Sequence, residues 1–279
     1  MNMQIKAGFR KEILAYFRTK KLMIIALVLI GLAVFSPVMI AGMGFLMDSM
    51  GDIYDEMGMD VSGLTGMLLS SSSTGVITTV SDITTTGLIV LLLMINMAAG
   101  GEQKKRAVII PKSAGLKSLP YILPKFIIYP LSAFIFAIAA MFVSWGISSV
   151  VFDVNDVTLN GVLLAGVLSG VCLMLYTCFH VTLGTATGKA GMSAAICIAA
   201  SFILPNIFSL SDLEYMYNPF AMNLLATNYI TNNAISGAEL RDIAMTIIFA
   251  IALMFISYLI ALFAQNARKI DNTGDEIEL

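Results

Sequence analysis

The sequence predicts an all-α integral membrane protein, with six transmembrane helices, an N-terminal amphipathic interfacial helix and re-entrant helices before the last span. Three observations lead there. Only 12% of the 279 residues are charged and 58% are hydrophobic, against a charged share of about 25% in soluble domains, so the chain lacks the charge to cover a water-facing surface. The charges are clustered, which leaves long uncharged windows. Those windows are continuously apolar instead of alternating, as helices are and barrel strands are not.

The windows are Leu22 to Met47, Ile83 to Gly101, Phe126 to Phe152, Val157 to Gly188, Ala190 to Ser211 and Ile243 to Ala267. A helix rises about 1.5 Å per residue and needs about 20 apolar residues to cross the hydrocarbon, so each window reads as one span. Of the 16 Lys and Arg residues, 15 fall on one side of this topology, and only Arg241 on the other. By the positive-inside rule both termini are cytoplasmic, in a multi-pass protein of the cell membrane. The net charge of −2 argues against nucleic acid as a partner.

Taken in order, residues 1–21 form the interfacial helix. Ile5, Phe9, Ile13 and Tyr16 share one face and Arg10, Lys11 and Arg18 another, as in a helix lying in the headgroup plane. A signal-peptide n-region is the other reading, but no small-x-small cleavage site follows in place. Residues 22–267 form one six-span bundle, without internal repeat or separate soluble domain. Segment 48–82 is external, acidic and then Ser/Thr-rich. Its acids Asp48, Asp52, Asp55, Glu56 and Asp60 lack the glycine and terminal glutamate of a calcium loop, so a solvated loop is the reading. Gly166 and Gly170 in span four form a small-x-x-x-small pair that lets helices approach. Segment 212–242 is too polar to cross. It carries the turn and helix-start signal Asn218-Pro219 and reads as short re-entrant helices. Residues 268–279 are a cytoplasmic tail, with Asp271 to Leu279 acidic and without fixed structure.

Several chemistries lack the residues they need. Cys172, Cys178 and Cys197 lie in apolar spans and read as packing residues. His180 is the only histidine; with no second ligand there is no metal site, and it reads as a packing histidine hydrogen-bonded inside the bundle. An intramembrane protease would need it as base, with Ser144, Ser148 or Ser169 as nucleophile, and no nucleophile motif supports this. Gly184 to Lys189 superficially resembles a phosphate loop, but has three residues between its glycines and Ala190 after the lysine. The chain therefore reads as no enzyme, with no catalytic residues and no cofactor of its own. No Asp, Glu, Lys or Arg falls inside any window, so uphill transport would draw its energy from elsewhere.

The informative stretch is Gly101 to Lys125, GEQKKRAVIIPKSAGLKSLPYILPK, which holds six of the sixteen basic residues. Together with the basic N-terminal helix, six spans with both ends inside and Asn218-Pro219 before the last span, it resembles the permease subunits of ABC exporters with the type-2 membrane domain, over essentially the whole chain. The resemblance implies a coupling loop at 102–125. Glu102 matches the family's glutamate, Lys104 to Ile110 its coupling helix (with Lys105, Arg106 and Ile109), Pro111 the following proline, and Lys125 the lysine opening span three. Arg106-Ala107 departs from the Gly-Thr common there, and Pro120 and Pro124 put the helix boundaries in question. Membership implies a permease dimer, here expected as a homodimer, and two ATPase subunits that bind MgATP. The Met-rich spans suit a hydrophobic or amphipathic cargo, as in exporters of the phenol-soluble-modulin type. The translocation path is expected at Thr85, Ile89 and Asn96 of span two and around Ile198 and Phe202 of span five. A peptide-sensing or immunity membrane protein without transport is the alternative.

Overall fold

The computed structural model describes residues 2–51, 71–104, 107–113, 115–207, 217–231, 236–267, 269–270 and 276–277. Eleven helices follow in chain order among them: α1 (Asn2–Arg18), α2 (Lys21–Ser49), α3 (Ser72–Asp82), α4 (Leu88–Ile95), α5 (Glu102–Lys104), α6 (Ile109–Ser113), α7 (Ser118–Val151), α8 (Leu159–Thr187), α9 (Ala190–Ile207), α10 (Met222–Asn228) and α11 (Gly237–Ala267). Five stretches are long and apolar enough to cross a membrane: α2, residues 72–95, α7, α8 and α11. The chain is thus an all-α, multi-pass membrane protein. Helix α9 is apolar but shorter, and the end of the predicted fifth span, residues 208–211, lies outside the described residues.

Helix α8 is the central post, packed against α7, α9, α10, α11 and residues 97–101. Its small residues explain this position. A Cβ on Gly166 would press on Ile138 and one on Gly170 on Phe134, so α7 lies directly on the predicted glycine pair. Helix ends follow local chemistry. Thr158 caps α8 by accepting from the Gly161 amide, and Gly188 ends it at φ 68°. Ser236 and Glu239 cap α11 reciprocally, at 2.7 and 3.3 Å, as in a capping box. Ser236→Ala should cost about 1 kcal/mol, read as a lowered unfolding temperature.

Three helix boundaries and the tail differ from expectation. The second crossing begins at Ser72, not Ile83, because its hydroxyls are satisfied inside the bundle: Thr79 Oγ1 bonds the Gly75 carbonyl and lies 2.7 Å from Ser144 Oγ. Helix α2 likewise continues through Asp48, so the external segment 48–82 is shortened at both ends. One π-helical turn, Ile83–Gly87, interrupts the crossing, and a kinked turn, Met97–Gly101, follows its end with Ala99 and Gly100 out of helical φ/ψ. The third crossing begins at Ser118, not Phe126. Pro120 sits in the first turn, where amides have no helical acceptor to lose, and Pro124 is carried inside. In the tail, Glu276–Ile277 pairs antiparallel with Lys269–Ile270, a short ladder where no fixed structure was expected.

Helix α1 faces inward with Gly8, Glu12 and Tyr16, while Ile13 is 41% exposed. The predicted Ile5–Phe9–Ile13–Tyr16 face is therefore rotated. The reason is contact distance: a Cβ on Gly8 would overlap the Pro120 carbonyl oxygen and press on Pro124. Gly8→Leu should loosen α1 from α7 and raise its protease susceptibility.

Candidate functional site

At the end of the bundle where α1, residues 97–104 and α7 meet, four charges share one small volume. Helix α7 places Tyr121, Lys125 and Tyr129 on one face at four-residue spacing, which stacks side chains along a helix. Lys125 is fully buried. Its ammonium has three protons and three short partners: Glu102 Oε2 at 2.6 Å, the Ala98 carbonyl at 3.0 Å and Tyr121 Oη at 2.9 Å. The other Glu102 oxygen accepts from Lys11 at 2.6 Å, and the Tyr121 hydroxyl donates to Glu102 at 3.0 Å. Glu12 accepts from Tyr129 at 2.8 Å and lies 3.5 Å from Lys11 and 4.0 Å from Lys125. Tyr16 meets Tyr129 edge-to-face at 4.9 Å and bonds Ser132. Two cations and two anions leave the cluster neutral, which is what permits its burial.

Glu102 is titratable outside the spans. Burial works to raise its pKa, but Lys125 and Lys11 outweigh it and hold the carboxyl at about 2, below the ordinary 4.5. A lowered folded-state pKa gives stability that is present above 4.5 and lost as pH falls through about 2. The unfolding temperature of the wild type minus that of Glu102→Gln should therefore be constant from neutral pH to about 4.5 and shrink only below it. At the opposite end burial also works to raise Asp156, but hydrogen bonds from Ser71, Ser73 and Ser72 hold it below its usual range. That contact ties the start of α3 to the α7–α8 loop.

Glu102 reaches this position through a backbone feature. Gly100 adopts φ +123°, open to glycine at little cost, and this turn redirects the chain from α4 into α5. The turn lies against Gly184 of α8, where a Cβ would overlap the Ala99 carbonyl oxygen. Next to Glu102, Gln103 donates to Gln265 of α11 at 2.8 Å. The segment is thus held to α1, α7, α8 and α11.

The structure brings the predicted Glu102 and Lys125 together but changes their setting. Lys125 lies inside α7, not at the end of a loop. The expected coupling helix, Lys104 to Ile110, is not one helix: Lys104 ends α5, Ala107 and Val108 form a turn, and Ile109 and Ile110 open α6. Pro111 is within α6, and Lys105 and Arg106 lie outside the described residues. Across them the Ala107 amide bonds back to the Glu102 carbonyl at 2.9 Å. Between α1, this segment and the start of α7 is a largely apolar cleft of about 280 Å³ lined by Gly8, Glu12, Val108, Pro111, Pro120 and Tyr121 among others.

Asn96 lines an open cleft with Met97, Gly188, Lys189 and Met192, which contains none of Thr85, Ile89, Ile198 or Phe202. Thr85 Oγ1 bonds the Ser81 carbonyl, and Phe202 is 53% exposed. Asn218 and Pro219 are buried and form a turn in which Asn218 accepts from the Phe220 amide at 3.0 Å. Only one short helix, α10, follows before residue 232; 208–216 and 232–235 lie outside the described residues. His180 is buried, 2.6 Å from Ser193 Oγ, and the three cysteines are free and buried, as packing residues would be.

Sequence reasoning missed Glu12, Lys11, Tyr121 and Tyr129. Glu12 carried a signal, as the only acid before Asp48 in a basic amphipathic helix. It also missed that Asp82 lies within a crossing, since the window counted for span two began one residue later. Comparison with known protein families, with curated proteins and with solved structures finds no match for this chain.

Proposed function

We propose that the chain is the permease subunit of an ATP-driven exporter for hydrophobic or amphipathic substrates, peptides in particular. In this reading α9 completes a six-span bundle in the cell membrane, the basic end and both termini face the cytoplasm, and α10 belongs to a re-entrant segment. Two copies of the chain pair, and two separate ATPase subunits carry MgATP and dock at residues 102–117. The observation that supports the reading best is the double attachment of Glu102. One oxygen is held by Lys125 of α7 and the other by Lys11 of α1, so a displacement of the segment that Glu102 opens moves a crossing helix and the surface helix together. A two-point ion pair transmits a push better than a flexible loop, because the loop would absorb displacement by changing its own dihedrals.

The test is co-purification from membranes followed by ATPase measurement. A stoichiometric ATPase partner is expected, and a stable complex free of any ATPase would favour a peptide-sensing or immunity protein instead. Glu102→Ala should assemble with the partner yet lose cargo-stimulated ATPase activity several-fold. Full stimulation in that variant would remove the coupling role.

A further inference from the structure

Helix α8 carries a cluster of rings a little past the middle of its length. Phe220, from the turn before α10, stacks on Phe179 with ring centroids 5.9 Å apart and meets Tyr176 at 6.0 Å. Tyr176 is seventeen residues beyond Leu159, the first residue of α8, or about 25 Å along a helix that rises about 1.5 Å per residue. Two further helices place the turn at a similar depth. The Tyr217 ring meets Phe249 edge-to-face at 6.3 Å, twelve residues or about 18 Å into α11, and Asn218 donates to the Leu204 carbonyl near the end of α9. Ten residues after Phe220 the chain is back at the start of α8, where the Ile230 carbonyl accepts from the Thr158 amide at 3.3 Å. Residues 217–221 are thus non-helical backbone deep among the crossings, which a membrane tolerates only where it is enclosed in protein or borders a water-filled cavity.

Three features separate this contact from ordinary core packing. Ser169, Cys172 and Tyr176 share one face of α8 with Phe179, and the hydroxyls of Ser169 and Tyr176 are buried without a hydrogen-bond partner among the described residues. Such groups cost free energy in a closed apolar core and are relieved where water or a ligand reaches them. Tyr217, at the root of the turn, holds φ 71°, a left-handed conformation uncommon for a residue with a side chain, and backbone strain of this kind collects at switching elements. The polar bonds that hold the turn are long, 3.2 Å from Tyr217 Oη to Asp242 and 3.5 Å from Asn218 to Leu204, so ring contacts carry much of its seating.

We propose that Phe220 is a gate across the membrane passage. Seated on Tyr176 and Phe179, it keeps water out; withdrawn with its turn, it opens the face of α8 that carries Ser169 and Tyr176 to the end of the bundle opposite Lys125. The freed hydroxyls then bond the polar side of an amphipathic cargo, while Cys172 and Phe179 meet its apolar side. The gate rests on the reading of the chain as an exporter, but it lies among the crossings and not at the ATPase-docking end.

Thiol labelling of the full chain in sealed vesicles tests it. Cys178→Ala with Cys197→Ala leaves the buried Cys172 as the only thiol. A charged, membrane-impermeant methanethiosulfonate is supplied either on the side opposite the basic loop or trapped on the side of that loop. Cys172 should react slowly in this background, and several-fold faster from the side opposite the basic loop once Phe220→Ala is added, with no gain from the other side. A rate that Phe220→Ala leaves unchanged would overturn the proposal, as would equal acceleration from both sides, the mark of a loosened core. Should Phe220→Ala fail to fold, hydrogen exchange of the unaltered chain in lipid decides. The amides of Phe220 and Ala221 should exchange while those of α8 around Tyr176 stay protected; equal protection of the two would overturn the gate. Neither measurement needs an ATPase, so a missing partner is read by co-purification and a missing gate by labelling or exchange.

Discussion

Lys125→Met is expected to be among the most damaging single substitutions in the chain, lowering stability by about 3–5 kcal/mol. The lysine is fully buried and all three of its protons are used. Methionine restores its volume but leaves the Ala98 carbonyl without its donor and Glu102 Oε2 with the Tyr121 hydroxyl alone. The penalty is mainly the uncompensated charge, not the lost attraction. Adding Glu102→Gln to Lys125→Met should therefore recover part of the loss, which a double-mutant cycle on unfolding temperature would read directly. Lys125→Arg should rescue poorly, because a planar guanidinium cannot direct its protons at a carboxylate, a carbonyl and a phenol arranged around a compact ammonium. An unfolding temperature for Lys125→Met equal to the wild type would show that the cluster is not a structural keystone.

Gly184→Ala is expected to prevent the fold from closing at the same end. The added methyl would overlap the Ala99 carbonyl oxygen. Overpacking ordinarily costs about 1–3 kcal/mol where side chains can give way, but here a backbone carbonyl is the obstacle and α8 is packed on its other sides. The approach is close from the other side too, since a Cβ on Gly100 would overlap the Gly184 carbonyl oxygen. Loss of monodisperse protein in detergent is the expected result. Gly191→Ala, where a Cβ meets nothing within 4 Å, should behave as wild type and serves as the control.

Both predictions concern one junction, and the sequence revealed it unevenly. Glu102 and Lys125 were singled out, and they meet. Their company was not legible, because Lys11 and Glu12 are separated from Glu102 by roughly ninety positions and bracketed by a helix whose apolar pattern pointed to another face. That pattern misled for a physical reason. A helix lying on a bundle buries the residues that permit closest approach, here Gly8 against Pro120, and leaves Ile13 and Phe17 exposed. The face expected to line a path meets a different difficulty. A face chosen at about 100° per residue does not carry through the π-helical turn at 83–87, which changes the angular step between Thr85 and the residues that follow it.

What the sequence by itself determined is the solvent: long uncharged windows and sparse charge put these helices in a membrane, and the clustering of basic residues marks one end. It could not determine where the crossings begin. Hydropathy rates serine, threonine, aspartate and lysine as unfit for the bilayer, so it excluded residues 72–82 and Lys125 from the crossings. The tertiary structure admits them, because neighbouring helices supply the partners that lipid lacks: Ser144 for Thr79, Ser36 for Asp82, and Glu102, Tyr121 and Ala98 for Lys125. The cost of a buried polar group depends on whether its hydrogen bonds are made, and that depends on packing between segments remote in the chain.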